Sequence, residues 1–235
     1  VVEVLALRDY NAAPYLVLAT RAGLVKKTRL SEYDSPRSGG LIAINLREDD
    51  EVVAARLVSE NDDLLLVSRN AMSIRFTASD EALRPMGRAT SGVIGMRFSE
   101  GDELLAMNVV SDGEDLLVAT EGGYAKRTAA SQYPVQGRGG KGVLTAKIVS
   151  SRGKLVGAVM VNPEDEVFAI TSAGGVIRTS AGEIKQSGRQ TMGVRLMNLA
   201  AGDSVVALAR NAESRGDDSL DAGAPQNEQN PAGDQ

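Results

Sequence analysis

Val118-Ala-Thr-Glu-Gly-Gly-Tyr-Ala-Lys-Arg-Thr128 is one of four versions of the same stretch. It aligns with Leu18-Ala-Thr-Arg-Ala-Gly-Leu-Val-Lys-Lys-Thr28, with Leu66-Val-Ser-Arg-Asn-Ala-Met-Ser-Ile-Arg-Phe76 and with Ala169-Ile-Thr-Ser-Ala-Gly-Gly-Val-Ile-Arg-Thr179. Thr20, Ser68, Thr120 and Thr171 mark the period, at steps of 48, 52 and 51 residues. A fixed period of this size is the mark of supersecondary units that bury their faces against one another. In each version an apolar, β-prone run meets a short turn and continues into a second such run, the pattern of a hairpin.

Two further signatures keep the same period. A glycine loop lies about twenty residues on: Gly87-Arg-Ala-Thr-Ser-Gly-Val93, Gly137-Arg-Gly-Gly-Lys-Gly-Val143, Gly188-Arg-Gln-Thr-Met-Gly-Val194 and the shorter Pro36-Arg-Ser-Gly-Gly-Leu41. A closing strand follows: Glu51-Val-Val-Ala-Ala55, Glu103-Leu-Leu-Ala-Met107, Lys154-Leu-Val-Gly-Ala158 and Ser204-Val-Val-Ala-Leu208. Val1–Leu5 fits that strand too, so the chain is expected to begin at the tail of an earlier repeat. The acidic turns Asn61-Asp-Asp63, Asp112-Gly-Glu-Asp115 and Pro163-Glu-Asp-Glu166 separate the repeats and read as turn formers, not metal ligands. Each period is therefore one four-stranded unit. Such units set around an axis predict an all-β, propeller-like disc, with blades near 15–62, 64–114, 116–165 and 167–210 and a leading strand over 1–7. The domain is expected to span 1–211, and the unpatterned, Asp- and Asn-rich 212–235 to be a disordered acidic tail.

Among the 235 residues there is no Cys and no His, which removes thiolate metal sites, disulfides and the commonest general base. No catalytic or metal-binding residue is expected. No apolar run of membrane-spanning length and no signal-peptide pattern is present, so cytoplasmic localisation without a membrane partner is the expectation. From Asn211 onward six acids face Arg215 alone, which accounts for the whole-chain charge of −5. The body is balanced, so anion binding there depends on distribution.

The richest glycine loop is Gln136-Gly-Arg-Gly-Gly-Lys-Gly142. Backbone without Cβ atoms can approach a ligand closely and turn N–H groups toward an anion. Gly137, Gly139 and Gly142 match the dinucleotide-binding spacing. That fingerprint follows a strand and opens a helix, whereas here Tyr-Pro-Val precedes and a β-prone run follows. Lys141 is followed by Gly142, so a nucleotide-binding P-loop is excluded. An incidentally charged turn is the alternative.

Charge recurs on the hairpin. Lys27, Arg75, Arg127 and Arg178 hold one slot, always basic, preceded by Lys26, Ile74, Lys126 and Ile177. Adjacent strand residues face opposite sides, so the recurring cation is expected to point to one face of every blade. Arg37, Arg88, Arg138 and Arg189 recur in the loops. Cations in register predict a basic track for a nucleic-acid backbone, against the alternative of charged edge strands. Nothing aromatic interleaves with them, which disfavours single-strand stacking.

These residues resemble the C-terminal domain of DNA gyrase A. Gln136–Gly142 is similar to that family's box, Gln-(Arg/Lys)-Arg-Gly-Gly-(Arg/Lys)-Gly, with Gly137 in place of a cation. The likeness runs from Val1 to about Arg210. It implies a β-pinwheel whose blades exchange strands, usually six of them, with the principal box in a blade before this chain and Gln136–Gly142 a second, variant box. It further implies duplex-DNA binding, bending and chiral wrapping in support of ATP-dependent negative supercoiling. The expected contacts are Gln136, Gly137, Arg138, Gly139, Gly140, Lys141 and Gly142, with Lys26, Lys27, Arg37, Arg75, Arg88, Lys126, Arg127, Arg178 and Arg189. The implied partners are double-stranded DNA, the rest of gyrase A and gyrase B, with the isolated piece a monomer. ATP and magnesium, with the catalytic tyrosine, belong elsewhere in the enzyme, and no cofactor is expected here. Tyr33 and Tyr133 share a slot with Ile184 and read as packing residues. The alternatives are the related topoisomerase IV domain, which selects DNA geometry, and a propeller-like protein-interaction module. The acidic tail either competes with DNA for the basic rim or is a structureless terminus.

Overall fold

A computed structural model describes residues 2–36 and 38–211. Arg37 and the tail 212–235 lie outside the described residues. The first repeat forms β1 (Tyr15–Thr20), β2 (Leu24–Arg29) and β3 (Val52–Val58). The second forms β4 (Asp63–Ser68), β5 (Met72–Thr77), the two-residue β6 (Val93–Ile94) and β7 (Leu104–Val110). The third forms β8 (Asp115–Thr120), β9 (Tyr124–Ala129), β10 (Val143–Leu144) and β11 (Leu155–Val161). The fourth forms β12 (Glu166–Thr171), β13 (Val176–Ser180), β14 (Val194–Arg195) and β15 (Val205–Arg210).

The sheets do not follow the repeats. Their strand orders are β3-β1-β2-β6, β10-β5-β4-β7, β11-β8-β9-β14 and β13-β12-β15. The short strand after each glycine loop leaves its own repeat and completes the blade before it, antiparallel to that blade's second strand. This is the strand exchange of a β-pinwheel. It corrects the expectation of four strands per period: three blades reach four strands by borrowing, and the fourth has three.

Blades stack face to face, so the opening strands β4 and β8, which have a blade on either side, are buried on both faces. Leu64, Leu65, Leu66 and Val67 are all fully buried. Leu64 and Leu66 pack with Val17 and Ala19 of the first blade, whereas Leu65 and Val67 pack with Leu116 and Val118 of the third. Two-sided burial explains why these strands read as continuous apolar runs. Residues 2–7 form no strand, although a closing strand is expected there. In the other repeats the closing strand pairs with its own opening strand, as β3 does with β1, and no such partner for 2–7 exists among the described residues. Leu5 and Leu7 pack instead on the outer face of the first blade.

Candidate nucleic-acid interface

The recurring strand cation is not an exposed track. The Lys27 side chain is fully buried, and its Nζ donates to the Ala78 carbonyl at 2.6 Å and to Asp80 at 2.7 Å. Arg75 donates to Asp63 at 2.8 Å and to the Ala130 carbonyl at 3.1 Å. Arg127 donates to Asp115 at 2.5 Å and to the Ile184 carbonyl at 2.8 Å. In all three the acceptor carbonyl belongs to the next repeat, so the cation ties one blade to its successor. Asp63, Asp115 and Glu166 occupy one slot of the opening strand. In the first blade that slot is Tyr15, and Lys27 Nζ lies 4.4 Å from its ring centroid, a cation–π contact in place of the ion pair. Arg178, in the blade with no successor among the described residues, is 63% exposed and pairs with Glu166 alone. Of the four expected backbone contacts in this slot, three are thus internal staples.

The preceding slot is internal as well. Lys26 Nζ donates to the carbonyls of Ala43 and of Arg88, the latter at 2.6 Å. Lys126 Nζ donates to the carbonyls of Gly188 and Arg189, both at 2.8 Å. Each lysine therefore sits beneath the next repeat's glycine loop and binds the Gly-Arg carbonyls from below. Burial pulls both lysines down to about 8, with Arg88 and Arg189 respectively acting in the same direction and Glu32 opposing for Lys26. Ile74 replaces the lysine in the second blade, and its Cδ1 lies 3.6 Å from where a Cβ on Gly140 would stand. The box loop thus rests on a hydrocarbon, with no ammonium beneath it.

The glycine loops themselves form a continuous rim. Arg88 donates to the Ile42 carbonyl at 3.2 Å, Arg138 to that of Ile94 at 3.0 Å and Arg189 to that of Leu144 at 2.9 Å. The backbone repeats the linkage: Asn45 N donates to Thr90 O, Arg97 N to Gly140 O and Lys147 N to Thr191 O. Each loop therefore grips the loop before it, blade after blade. Across this rim the segments 84–98, 134–163 and 184–202 contain no acid, while carrying Arg84, Arg88 and Arg97, then Arg138, Lys141, Lys147, Arg152 and Lys154, then Lys185, Arg189 and Arg195. Arg84, Arg97, Arg138, Lys141, Lys147, Lys185 and Arg195 are exposed, and Arg88 and Arg189 half-buried. Among the described residues none of these nine side chains is in an ion pair. A row of unpaired cations on acid-free backbone is a surface for a polyanion.

Within the box the roles divide. Gln136 N donates to the Arg75 carbonyl at 2.7 Å and Gly139 N to that of Gly95 at 2.7 Å, so these two N–H groups are spent on the neighbouring blade. Gln136 Oε1 is buried and faces no donor. Gly142 has φ of +75°, and a Cβ there would stand 2.0 Å from the Ser73 carbonyl oxygen. Gly92 and Gly193 meet the same obstruction in their loops, so the last glycine is architectural. Arg138 and Lys141 are the outward members. Tyr133 is buried with its hydroxyl bonded to Thr145, and the buried Ile184 holds the same slot, as expected of packing residues.

With that geometry in place, comparison decides the lineage. The family model described as DNA gyrase C-terminal domain, beta-propeller, matches four segments, 14–59, 62–111, 114–162 and 165–211, one for each repeat. The chain belongs to the DNA gyrase C-terminal domain family. DNA gyrase A of Mycobacterium bovis is 63% identical over 218 residues, covering 93% of this chain and 26% of the relative. That of Streptomyces coelicolor is 63% identical over 219 residues, covering 91% and 26%. The chain thus spans about a quarter of the length of these curated relatives. Among solved structures, a DNA gyrase A C-terminal domain superposes with a TM-score of 0.77 at 27% identity, covering 87% of this chain and 68% of that one. The C-terminal domain of a DNA topoisomerase IV superposes at 0.83 and 26%, covering 89% and 65%. The fold does not separate the two enzymes, but the sequence places the chain with gyrase.

In this gyrase family member the surface cations that strand spacing missed are Arg84, Arg97, Lys147, Lys185 and Arg195. They share no slot in the hairpin repeat. Counting acids separately for each loop finds them. Among the described residues no cluster of acidic side chains is grouped to hold a metal ion.

Proposed function

We propose that this chain binds duplex DNA along the glycine-loop rim and bends it from blade to blade, wrapping it chirally to support ATP-dependent negative supercoiling by gyrase. The observation that carries this reading is the acid-free rim in which Arg88, Arg138 and Arg189 are each fixed to the preceding loop and, among the described residues, none is in an ion pair. Bending 20–30 base pairs costs about 1–6 kcal/mol, which several charge-assisted phosphate contacts offset. In this reading the domain works in the cytoplasm beside the rest of gyrase A and gyrase B, and the ATP-driven strand passage is carried by those parts.

Salt-dependent anisotropy with a labelled duplex tests binding, and ligation of nicked circles in the presence of the chain tests wrapping. The expected result is a fall in log K of about 0.9 per phosphate contact per decade of salt, with topoisomers shifted to one sign. Salt-insensitive binding would refute the DNA reading. Salt-sensitive binding with topoisomers unshifted would keep the binding and refute wrapping by these four blades.

A further inference from the structure

The repeat supplies its own control, and at one place two of its rules fail together. Where the borrowed strand meets the second strand of a blade, the facing residues are Ile94 and Leu24, then Leu144 and Met72, then Arg195 and Tyr124. The apolar pair is replaced by a cation and a phenol in the third blade only. The turn before the closing strand changes there too. In the other repeats an aspartate of that turn receives backbone N–H groups: Asp50 from Ala22 and Glu51, Asp102 from Asn70 and Glu103, Asp203 from Ala173 and Ser204. In the third repeat Arg152-Gly153 stands in that place, and Glu121 reaches across to accept the Lys154 N–H at 2.9 Å.

The two departures converge on three side chains. The Arg152 guanidinium carbon lies 3.8 Å from the Tyr124 ring centroid, and Arg195 Nη2 donates to the Tyr124 hydroxyl at 3.0 Å. Arg152 Nη1 also donates to the Met192 and Gly193 carbonyls of the fourth glycine loop, and Arg195 Nη1 to Asn198 Oδ1. Among the described residues neither guanidinium is in an ion pair, since the nearby Glu121 is turned to the Lys154 backbone. The Tyr124 hydroxyl hydrogen and Arg195 Nε are left as donors beside a cavity of about 260 Å³ that both residues line, and Arg152, stacked on the Tyr124 ring, has Nη2 left as a donor. Two uncompensated guanidinium groups sharing one phenol repel each other unless an anion joins them.

We infer that Tyr124, Arg152 and Arg195 form a phosphate-binding site at the junction of the third and fourth blades, taking a phosphodiester of DNA that follows the rim beyond the fourth glycine loop. The inference rests on the duplex-DNA reading above and adds to it a built contact in which Tyr124 joins two of the rim's cations. The hydrogen bond from Arg195, with the charges of Arg195 and Arg152, holds the Tyr124 phenol below its usual range, which reflects the net positive surroundings of the hydroxyl.

The test is R195I, which installs the residue of the second repeat's slot and so keeps the strand pairing. With a duplex long enough to cross both blades, log K against log salt should flatten by about 0.9 and affinity should fall several-fold, with the thermal midpoint unchanged. Y124F, which keeps the ring under Arg152, should weaken binding in the same direction but less. R138A/K141A is measured alongside, and its loss of slope should add to that of R195I. A steep wild-type slope that R195I leaves unaltered would overturn this inference alone, whereas a flat wild-type slope would overturn the DNA reading itself. Saturable shifts of the Arg195 Nε–H resonance by inorganic phosphate, with the DNA slope unaltered in R195I, would mark a site for the free ion and overturn the DNA assignment.

Discussion

Replacing the recurring strand cation by Met at each of its four positions should produce a graded loss of stability and leave the salt dependence of DNA binding nearly unchanged. The grading follows from what each acid is left with. Arg127→Met strands Asp115, whose side chain is 5% exposed, with a single remaining side-chain donor, Gln186 Nε2 at 2.8 Å. Breaking a buried pair from one side costs about 3–5 kcal/mol, a large share of the roughly 5–15 kcal/mol that holds a domain folded. Arg75→Met strands Asp63, which is 15% exposed and keeps the Thr77 hydroxyl at 2.7 Å, so a cost of about 2–3 kcal/mol is expected. Lys27→Met frees Asp80, 45% exposed, to rehydrate, and forfeits the Ala78 bond and the Tyr15 contact, together about 1–2 kcal/mol. Arg178→Met removes a surface pair and should cost less than about 1 kcal/mol. Urea unfolding followed by circular dichroism orders the four, and D115N in the R127M background should recover part of the loss. Four small, equal stability losses, each accompanied by a salt slope flatter by about 0.9, would show that these cations face DNA and that the staple assignment is wrong.

Gly142→Ala should destabilise by about 2–4 kcal/mol, because the left-handed φ and a Cβ 2.0 Å from the Ser73 carbonyl oxygen act together; the urea midpoint reads it. Gly137→Arg meets nothing within 4 Å, so it should fold as the parent does and steepen the salt slope by about 0.9 by restoring the cation of the family's box. R138A/K141A should flatten that slope by about 1.8 if each side chain holds one phosphate, with a modest fall in the unfolding midpoint from the lost exposed bonds of Arg138 to the Ala82 and Ile94 carbonyls. Lys26 and Lys126 give up their protons near pH 8 when folded, against the ordinary 10.5 that the unfolded chain keeps. The unfolded state therefore binds more protons between those values, and stability should rise from pH 8 toward 10.5; K26M/K126M should abolish that rise in urea titrations at the two ends of the window.

The period, the blades and the loop cations were legible because each is repeated four times over one chain. The direction of the strand cations was not, for a physical reason. Alternation on a strand says that Lys26 and Lys27 face opposite sides, but it does not say whether either side is water. Here neither side is: Lys27 lies on the face against the second blade and Lys26 on the outer face that Leu5, Leu7, Ala43 and Ile44 cover, and the cue was the run Leu64–Val67, apolar at consecutive positions with no polar face. A strand sandwiched on both faces has no outward slot, so a cation repeated in register along it must find its partners inside. The exchange of Val93–Ile94, Val143–Leu144 and Val194–Arg195 was equally hidden, since two residues have no periodicity and the resemblance alone implied it.

Strand exchange also explains what the loops are free to vary. The glycine that precedes each borrowed strand lies against the carbonyl of the blade it joins, at Gly92, Gly142 and Gly193, so any side chain there must displace a neighbouring strand. The first glycine of the loop has no such duty, because Gly87 and Gly137 face open space. The departure of this box from the family's pattern falls at Gly137, where it alters charge and costs the fold nothing. With Ile74 beneath it in place of a lysine, the box loop is held from the neighbouring blade instead, by Gly139 N to the Gly95 carbonyl, by Arg97 N and Nε to the Gly140 and Gly139 carbonyls, and by Arg138. It therefore lacks the buried ammonium that, in the flanking loops, fixes the backbone carrying Arg88 and Arg189 from below.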